Sequence, residues 1–211
     1  RRSNGGASRG DSLYAESLSY VDKEIGRIIH FLQESRMWED TLIVISSDHG
    51  RAAGPPERGL KSIAHFFDEF IQVPLLFHSP HLEADEITHP CSTLDIAPSI
   101  LNLLGLPPNK DFVGVSVFSE ESNLRTSIPL EHLHKGVCDF QTKPLYLGVR
   151  TERFKYVWRE FISVKDDPLT SRVELYDLAK DPGEKRNIAD TPESEVVQRE
   201  LHAMVKDRYT T

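Results

Sequence analysis

Between Tyr14 and Leu32, apolar residues recur at spacings of three and four: Tyr14, Leu18, Val21, Ile25, Ile28 or Ile29, and Leu32. That is the period of an amphipathic helix, expected to start at a cap on Asp11 or Ser12 and to run to about Ser35. Past Trp38-Glu39-Asp40 the pattern changes to Thr41-Leu42-Ile43-Val44-Ile45-Ser46-Ser47, a β-branched run without alternation. Such a run predicts a strand buried on both faces of a parallel sheet, and a helix leading into it is half of a βαβ unit. A short helix is expected between Ser62 and Phe70. Val73-Pro74-Leu75-Leu76-Phe77 predicts a second buried strand, with Pro74 near its start, where a missing N–H is tolerated. Asp95 is placed to cap a helix from Ile96 to Leu104, with Pro98 in the first turn, Gly105 at the stop and Pro107 beyond.

From about residue 120 the period shortens to two. Ile128 to His134, Leu145 to Trp158 and Val173 to Leu178 alternate and are separated by short turns, which predicts a small antiparallel sheet. Asp181-Pro182-Gly183 is a turn. Thr191 and Pro192 mark the cap and first residue of a closing amphipathic helix that reaches Asp207. The expected organisation is therefore a linker over 1–10, an α/β region over 11–118, and an antiparallel subdomain with a terminal helix over 119–211.

Composition narrows the function classes. The 211 residues are 38% hydrophobic and 9% aromatic, enough for a packed core and too much for a disordered tail. A formal net charge of −8 argues against nucleic acid as a partner, and no apolar run approaches the ~18 residues of a membrane span. Cys91 and Cys138 form no CxxC pair and leave the redox compartment open. Arg1 to Gly10 reads as an interior loop rich in Gly, Ser and Arg, so the rest of the polypeptide is expected upstream.

Asp48-His49-Gly50 follows the first predicted strand directly. Within a strand, adjacent side chains point to opposite faces. At a strand end with a glycine free to turn, a carboxylate and an imidazole can converge on one point. That pair suits a divalent cation, and open α/β sheets bind ligands beyond the carboxyl ends of their strands. Against this stands a plainer possibility, in which Asp48 caps the turn and His49 is a polar loop residue. Arg51, Arg58 and Lys61 follow within thirteen residues of Asp48. Basic groups beside a cation are what a sulfuryl or phosphoryl group requires, although most loop Arg and Lys are merely solvated. His132 and His134 lie on one predicted strand, facing one side, as a His-x-His pair of a kind that can bind zinc but is more often plain surface or packing. His202, like His30, His78, His81 and His89, has no supporting neighbours.

Five segments resemble the sulfatase family of the alkaline phosphatase superfamily. Thr41 to Gly50 resembles its strand and metal motif, and Tyr14 to Gly26 resembles the helix before it. Phe67-Asp68-Glu69-Phe70-Ile71-Gln72-Val73-Pro74-Leu75-Leu76 resembles a stretch written YEEGIRVPLI in the family. Ser92 to Pro107 resembles the helix written DLAPTLLDLAGLP. Val149 to Tyr156 with Glu174 to Glu184 resembles the C-terminal hairpin. Order and spacing agree over nearly the whole chain.

The resemblance implies the latter part of an alkaline-phosphatase-like sandwich with a mostly parallel sheet, followed by the antiparallel subdomain. It also implies metal-dependent hydrolysis of a small-molecule or carbohydrate sulfate ester. Asp48 and His49 would be two ligands of a divalent metal, most often Ca2+ with Mn2+ possible. Lys61 would contact the sulfate and assist the leaving oxygen, with His65 as a rival for that place and Arg58, His132 and His134 as substrate contacts. The family's nucleophile is a formylglycine made within Cys/Ser-x-Pro-x-Arg. Neither cysteine fits that pattern and Ser127-Ile128-Pro129-Leu130-Glu131 ends in Glu, so the formylglycine is expected upstream and the chain by itself is expected to be inactive. Two alternatives are phosphodiester or phosphonate-monoester hydrolysis in the same superfamily, and a catalytically silent binding or scaffold domain.

Overall fold

The computed structural model describes residues 9–51, 66–133, 145–159 and 172–209. Contacts divide the chain into two units, 1–85 and 86–211.

In the first unit, helix α1 (Arg9–Glu34) begins ahead of the expected cap, so Asp11 and Ser12 lie inside its first turn. Tyr14, Ile25, Ile29 and Leu32 are half-buried, whereas Leu18, Val21 and Ile28 of the same stripe are exposed. A 3-10 turn at Trp38–Asp40 leads into β1 (Ile43–Ser46), and a single helical turn, α2 (Asp68–Ile71), precedes β2 (Leu75–His78).

β1 and β2 pair antiparallel, from Ile43 opposite His78 to Ser46 opposite Leu75. This corrects the expectation of a mostly parallel sheet, since every strand pair among the described residues is antiparallel. An apolar β-branched run reports the burial of a strand but carries no information on its neighbour's direction. β1 is half-buried throughout and β2 alternates, with Leu76 exposed. Because the pair is antiparallel, the carboxyl end of β1 lies beside the start of β2, the end that α2 enters. The Trp38 and His78 rings pack 4.4 Å apart.

The second unit holds a four-stranded meander of β3 (Ser127–Leu133), β4 (Leu145–Thr151), β5 (Phe154–Arg159) and β6 (Val173–Asp177), in that order. The antiparallel sheet read from the alternating runs is present. Helix α5 (Glu195–Tyr209) covers one face. Val197, Leu201 and Val205, four residues apart, pack on Leu147, Val149, Tyr156 and Leu175, and each fully buried side chain of this size stabilises by about 1.5–3 kcal/mol. The outer edge of β6 is partly covered: the Ile188 amide donates to the Leu175 carbonyl, and Asn187 bonds the Leu175 amide and the Val173 carbonyl. Such cover blunts an edge that could template further pairing.

Helix α3 (Ile96–Leu103) ends as its sequence suggests, with Gly105 at φ +64° and the Leu106 amide returning to Leu101, a left-handed stop that glycine adopts without strain. Its start differs. Asp95 makes no side-chain cap on α3; it closes a capping box with Ser92 on the preceding 3-10 turn Thr93–Asp95. Asp95 is fully buried, and accepts from the amides of Ser92 (2.7 Å) and Val115 (3.0 Å) and from both terminal nitrogens of Arg125. The short helix α4 (Glu120–Asn123) leads from there into β3. At the far end, the Thr191 hydroxyl does not cap α5 but donates to the Ile188 carbonyl, and Pro192 holds the first helical position.

The face of the sheet opposite α5 is also buried, and it is charged. Lys155 pairs with Glu184 at 2.5 Å and Arg159 with Glu174 at 2.8 Å, all four side chains being at most 8% exposed. Arg153 grips Asp177 with two nitrogens, and that bond holds the Asp177 carboxyl below the usual range.

His202 on α5, solitary in the sequence, places Nδ1 2.8 Å from the Tyr156 hydroxyl and sets its ring edge-on to Trp158. Burial, and then Asp190, push the Tyr156 phenol up to about 12, so it stays protonated. Burial, and then Lys206, hold the His202 imidazole below its ordinary value. A histidine with a depressed pKa binds fewer protons folded than unfolded, so its contribution to stability is present above about pH 6.5 and is lost as pH falls through the folded value. Thermal midpoints measured between about pH 7.5 and 5.5 are therefore expected to fall less steeply for His202→Gln than for the parent. Parallel slopes would remove the role assigned to His202.

Candidate active site

The chain leaves β1 at Ser46 and bends at Asp48. The Ser47 hydroxyl donates to the His49 carbonyl at 2.9 Å and lies 3.5 Å from Asp48 Oδ1. The His49 amide donates to that same Oδ1 at 2.9 Å. One carboxylate oxygen of Asp48 is thus engaged in shaping the turn. The other, Oδ2, stands 3.8 Å from His49 Nε2. The remaining ring nitrogen, Nδ1, is 2.8 Å from the Gly50 carbonyl. Both side chains are open to solvent, Asp48 at 85% and His49 at 54%.

The two adjacent side chains therefore converge, which a continuing strand would not allow. Their separation is too long for a hydrogen bond. It is compatible with two donors sharing a cation about 2.4 Å from each, and a carboxylate with an imidazole is a donor set that divalent ions take. The residues present thus fit two positions of a divalent-cation site. Among the described residues no third His, Cys, Asp or Glu gathers with them.

Gly50 is fixed by its surroundings. Its amide donates to the Phe70 carbonyl at 2.7 Å, and a Cβ there would lie 2.3 Å from the Glu69 carbonyl oxygen. Sequence reading used Gly50 only as a turn residue and missed this contact. The contacts come from the backbone carbonyls of Glu69 and Phe70, nineteen and twenty residues after the glycine, and no side-chain pattern marks them.

Arg51, counted among the loop cations, sets its guanidinium 4.7 Å from the centroid of the Tyr14 ring, a cation–π contact. His132, in the second unit, stacks on Tyr146 with centroids 5.7 Å apart, opposite it on β4. Arg58, Lys61, His65 and His134 lie outside the described residues.

A carboxylate and an imidazole converging at the carboxyl end of a strand, in a mixed α/β chain, form an arrangement that metal-assisted hydrolases, as a class, can use. Comparison with known families narrows that class. Residues 3–106 match the family described as Sulfatase, and residues 57–210 match the one described as N-sulphoglucosamine sulphohydrolase, C-terminal. The chain belongs to the sulfatase family, within the alkaline phosphatase-like superfamily. It is 32% identical over 200 residues to the choline-sulfatase of Rhizobium meliloti, an alignment covering 92% of this chain and 36% of the relative. It is 26% identical over 200 residues to the delta 4,5-hexuronate-2-O-sulfatase of Bacteroides thetaiotaomicron, covering 90% and 39%. A solved 2-O GAG sulfatase superposes with a TM-score of 0.69 at 25% identity, covering 90% of this chain and 40% of that one. The chain thus spans little more than a third of the length of the relatives it matches. No helix among the described residues is long and apolar enough to cross a membrane.

Proposed function

We propose that the complete protein hydrolyses sulfate esters at a divalent metal, and that this chain contributes part of the metal site without the nucleophile. The observation that carries the reading is the 3.8 Å approach of Asp48 Oδ2 to His49 Nε2 at the end of β1, in a chain of the sulfatase family. Asp48 and His49 would hold the ion, Ca2+ foremost and Mn2+ second. When bound, such an ion neutralises charge on the ester's oxygens.

The roles of this chain's own residues follow from their chemistry. The His49 amide fixes one oxygen of Asp48 and leaves the other turned toward His49, while the Ser47 hydroxyl closes the turn on the His49 carbonyl. Lys61 would meet the anionic ester with an ammonium group, with His65 as its rival and Arg58 beside them; His132 and His134 would contact substrate. Residues 11–118 would complete the α/β domain, and residues 119–211 would form the C-terminal subdomain. The hexuronate-2-O-sulfatase and the 2-O GAG sulfatase support a sulfated carbohydrate as substrate, and the choline-sulfatase supports a smaller ester.

Asp48→Ala in the complete protein is expected to lower turnover of an aryl sulfate by at least about 100-fold, and to abolish the rise in thermal midpoint that Ca2+ or Mn2+ gives the parent. Turnover of an aryl phosphodiester in preference to the sulfate would move the reading to phosphoryl chemistry. A parent that neither turns over nor gains stability with metal would leave a scaffold role.

A further inference from the structure

One ring nitrogen of His49 faces a backbone acceptor. Nδ1 lies 2.8 Å from the Gly50 carbonyl oxygen, and a carbonyl oxygen can only accept, so Nδ1 carries the proton. In the neutral ring Nε2 then holds the lone pair, and Nε2 is the atom that faces Asp48 Oδ2. Ligating histidines are commonly fixed by a hydrogen bond from the second ring nitrogen to a carbonyl or carboxylate.

The residue that carries this carbonyl is in turn bonded, through its amide, to a segment some twenty residues onward. Helical turn α2 is closed by its own bonds, with the Phe70 and Ile71 amides returning to Phe67 and the Gln72 amide to Asp68. Its Phe70 carbonyl receives the Gly50 amide at 2.7 Å, while its Glu69 carbonyl occupies the space where a Cβ of residue 50 would go. A side chain at residue 50 would push the backbone off α2 and swing the carbonyl away from His49.

We infer that α2 positions His49 through Gly50, holding the ring in the Nδ1–H tautomer with Nε2 open to a divalent cation. The cation rests on the sulfatase reading above; the tautomer is a property of this chain alone. Gly50 and the Phe70 carbonyl are positioning groups, acting on the ion only through His49.

The test uses the full chain labelled with 15N, with ring nitrogens correlated to ring protons at about pH 8.5, where an ordinary histidine is neutral. The expected result is Nδ1–H at His49 in the parent and in Phe70→Ala, which keeps the backbone carbonyl. Gly50→Ala is expected to show a mixture with Nε2–H, together with Mn2+ binding weaker by about tenfold or more. A parent in the Nε2–H form overturns the inference, whether or not Gly50→Ala folds. A folded Gly50→Ala with an unchanged tautomer also overturns it. A parent in the Nδ1–H form that binds Mn2+ no better than Asp48→Ala overturns the cation assignment while the positioning stands.

Discussion

Lys155→Met is expected to lower the thermal midpoint of residues 86–211 by about 10 °C or more. The Lys155 ammonium lies 2.5 Å from Glu184 Oε1, and the two side chains are 0% and 3% exposed. Two charges withdrawn from water depend on one another. Removing one partner of such a pair costs about 3–5 kcal/mol, because the survivor keeps its buried charge and loses the opposite charge beside it. For a unit of this size each kcal/mol moves the midpoint by about 3 °C. Glu184 adds a backbone element to the loss. It stands at φ +50°, a left-handed conformation that a residue with a Cβ adopts only under constraint, and its ion pair supplies that constraint. The matched double variant Lys155→Met with Glu184→Leu should recover much of the midpoint, since replacing both charges with apolar groups of similar volume is often neutral. Trp158, which packs against the core beside α5, reports the transition by fluorescence. A loss below about 1 kcal/mol for the single variant would show that water or another group compensates Glu184.

Why that pair escapes a reading of the sequence is instructive. Alternation in Phe154-Lys155-Tyr156-Val157-Trp158-Arg159 separates the face of Tyr156 and Trp158 from the face of Lys155 and Arg159. The first face is the one under α5. The second would be read as solvated, because local period tells which residues share a face and nothing about what covers it. Lys155 and Glu184 are 29 positions apart, so no short window holds both. The same limit explains the sheet direction. Ile43-Val44-Ile45 announces a strand correctly, though one that is half-buried and not buried on both faces, and the run says nothing of its neighbour's direction.

Features set by adjacent residues were legible: the stop at Gly105, Pro192 opening the last helix, the alternating runs of β3 to β6, and Asp48 with His49 at a strand end. The capping role given to Asp95 was a local inference that tertiary structure displaced. The carboxylate that could bond the first turn of α3 bonds Val115 and Arg125, 20 and 30 residues onward.

Asp95→Asn carries the second large expected effect, and it separates the two members of that ion pair. Asp95 is fully buried and receives two amides and two guanidinium nitrogens. The amide of asparagine offers a single acceptor oxygen and turns an N–H2 toward donors, so at least one buried donor and the Arg125 charge lose their partner. About 3 kcal/mol or more of stability should follow. Arg125→Gln should cost distinctly less. The Asp95 carboxylate would keep its bonds from Ser92 and Val115, and Arg125, at 18% exposure, borders a cavity of about 480 Å³ through which water can reach what remains. A second readout needs no unfolding. Burial first, and the Asp95 charge second, push the Cys91 thiol up, while Arg125 pulls it down. Removing the carboxylate charge leaves burial opposed by Arg125, without the Asp95 contribution, so in a Cys138→Ser background the Cys91 thiol is expected to ionise at lower pH in Asp95→Asn than in the parent, followed by thiolate absorbance. Equal losses of stability from the two variants, or a Cys91 titration that does not move, would show that Asp95 holds this corner of the fold by its backbone bonds and not by its charge.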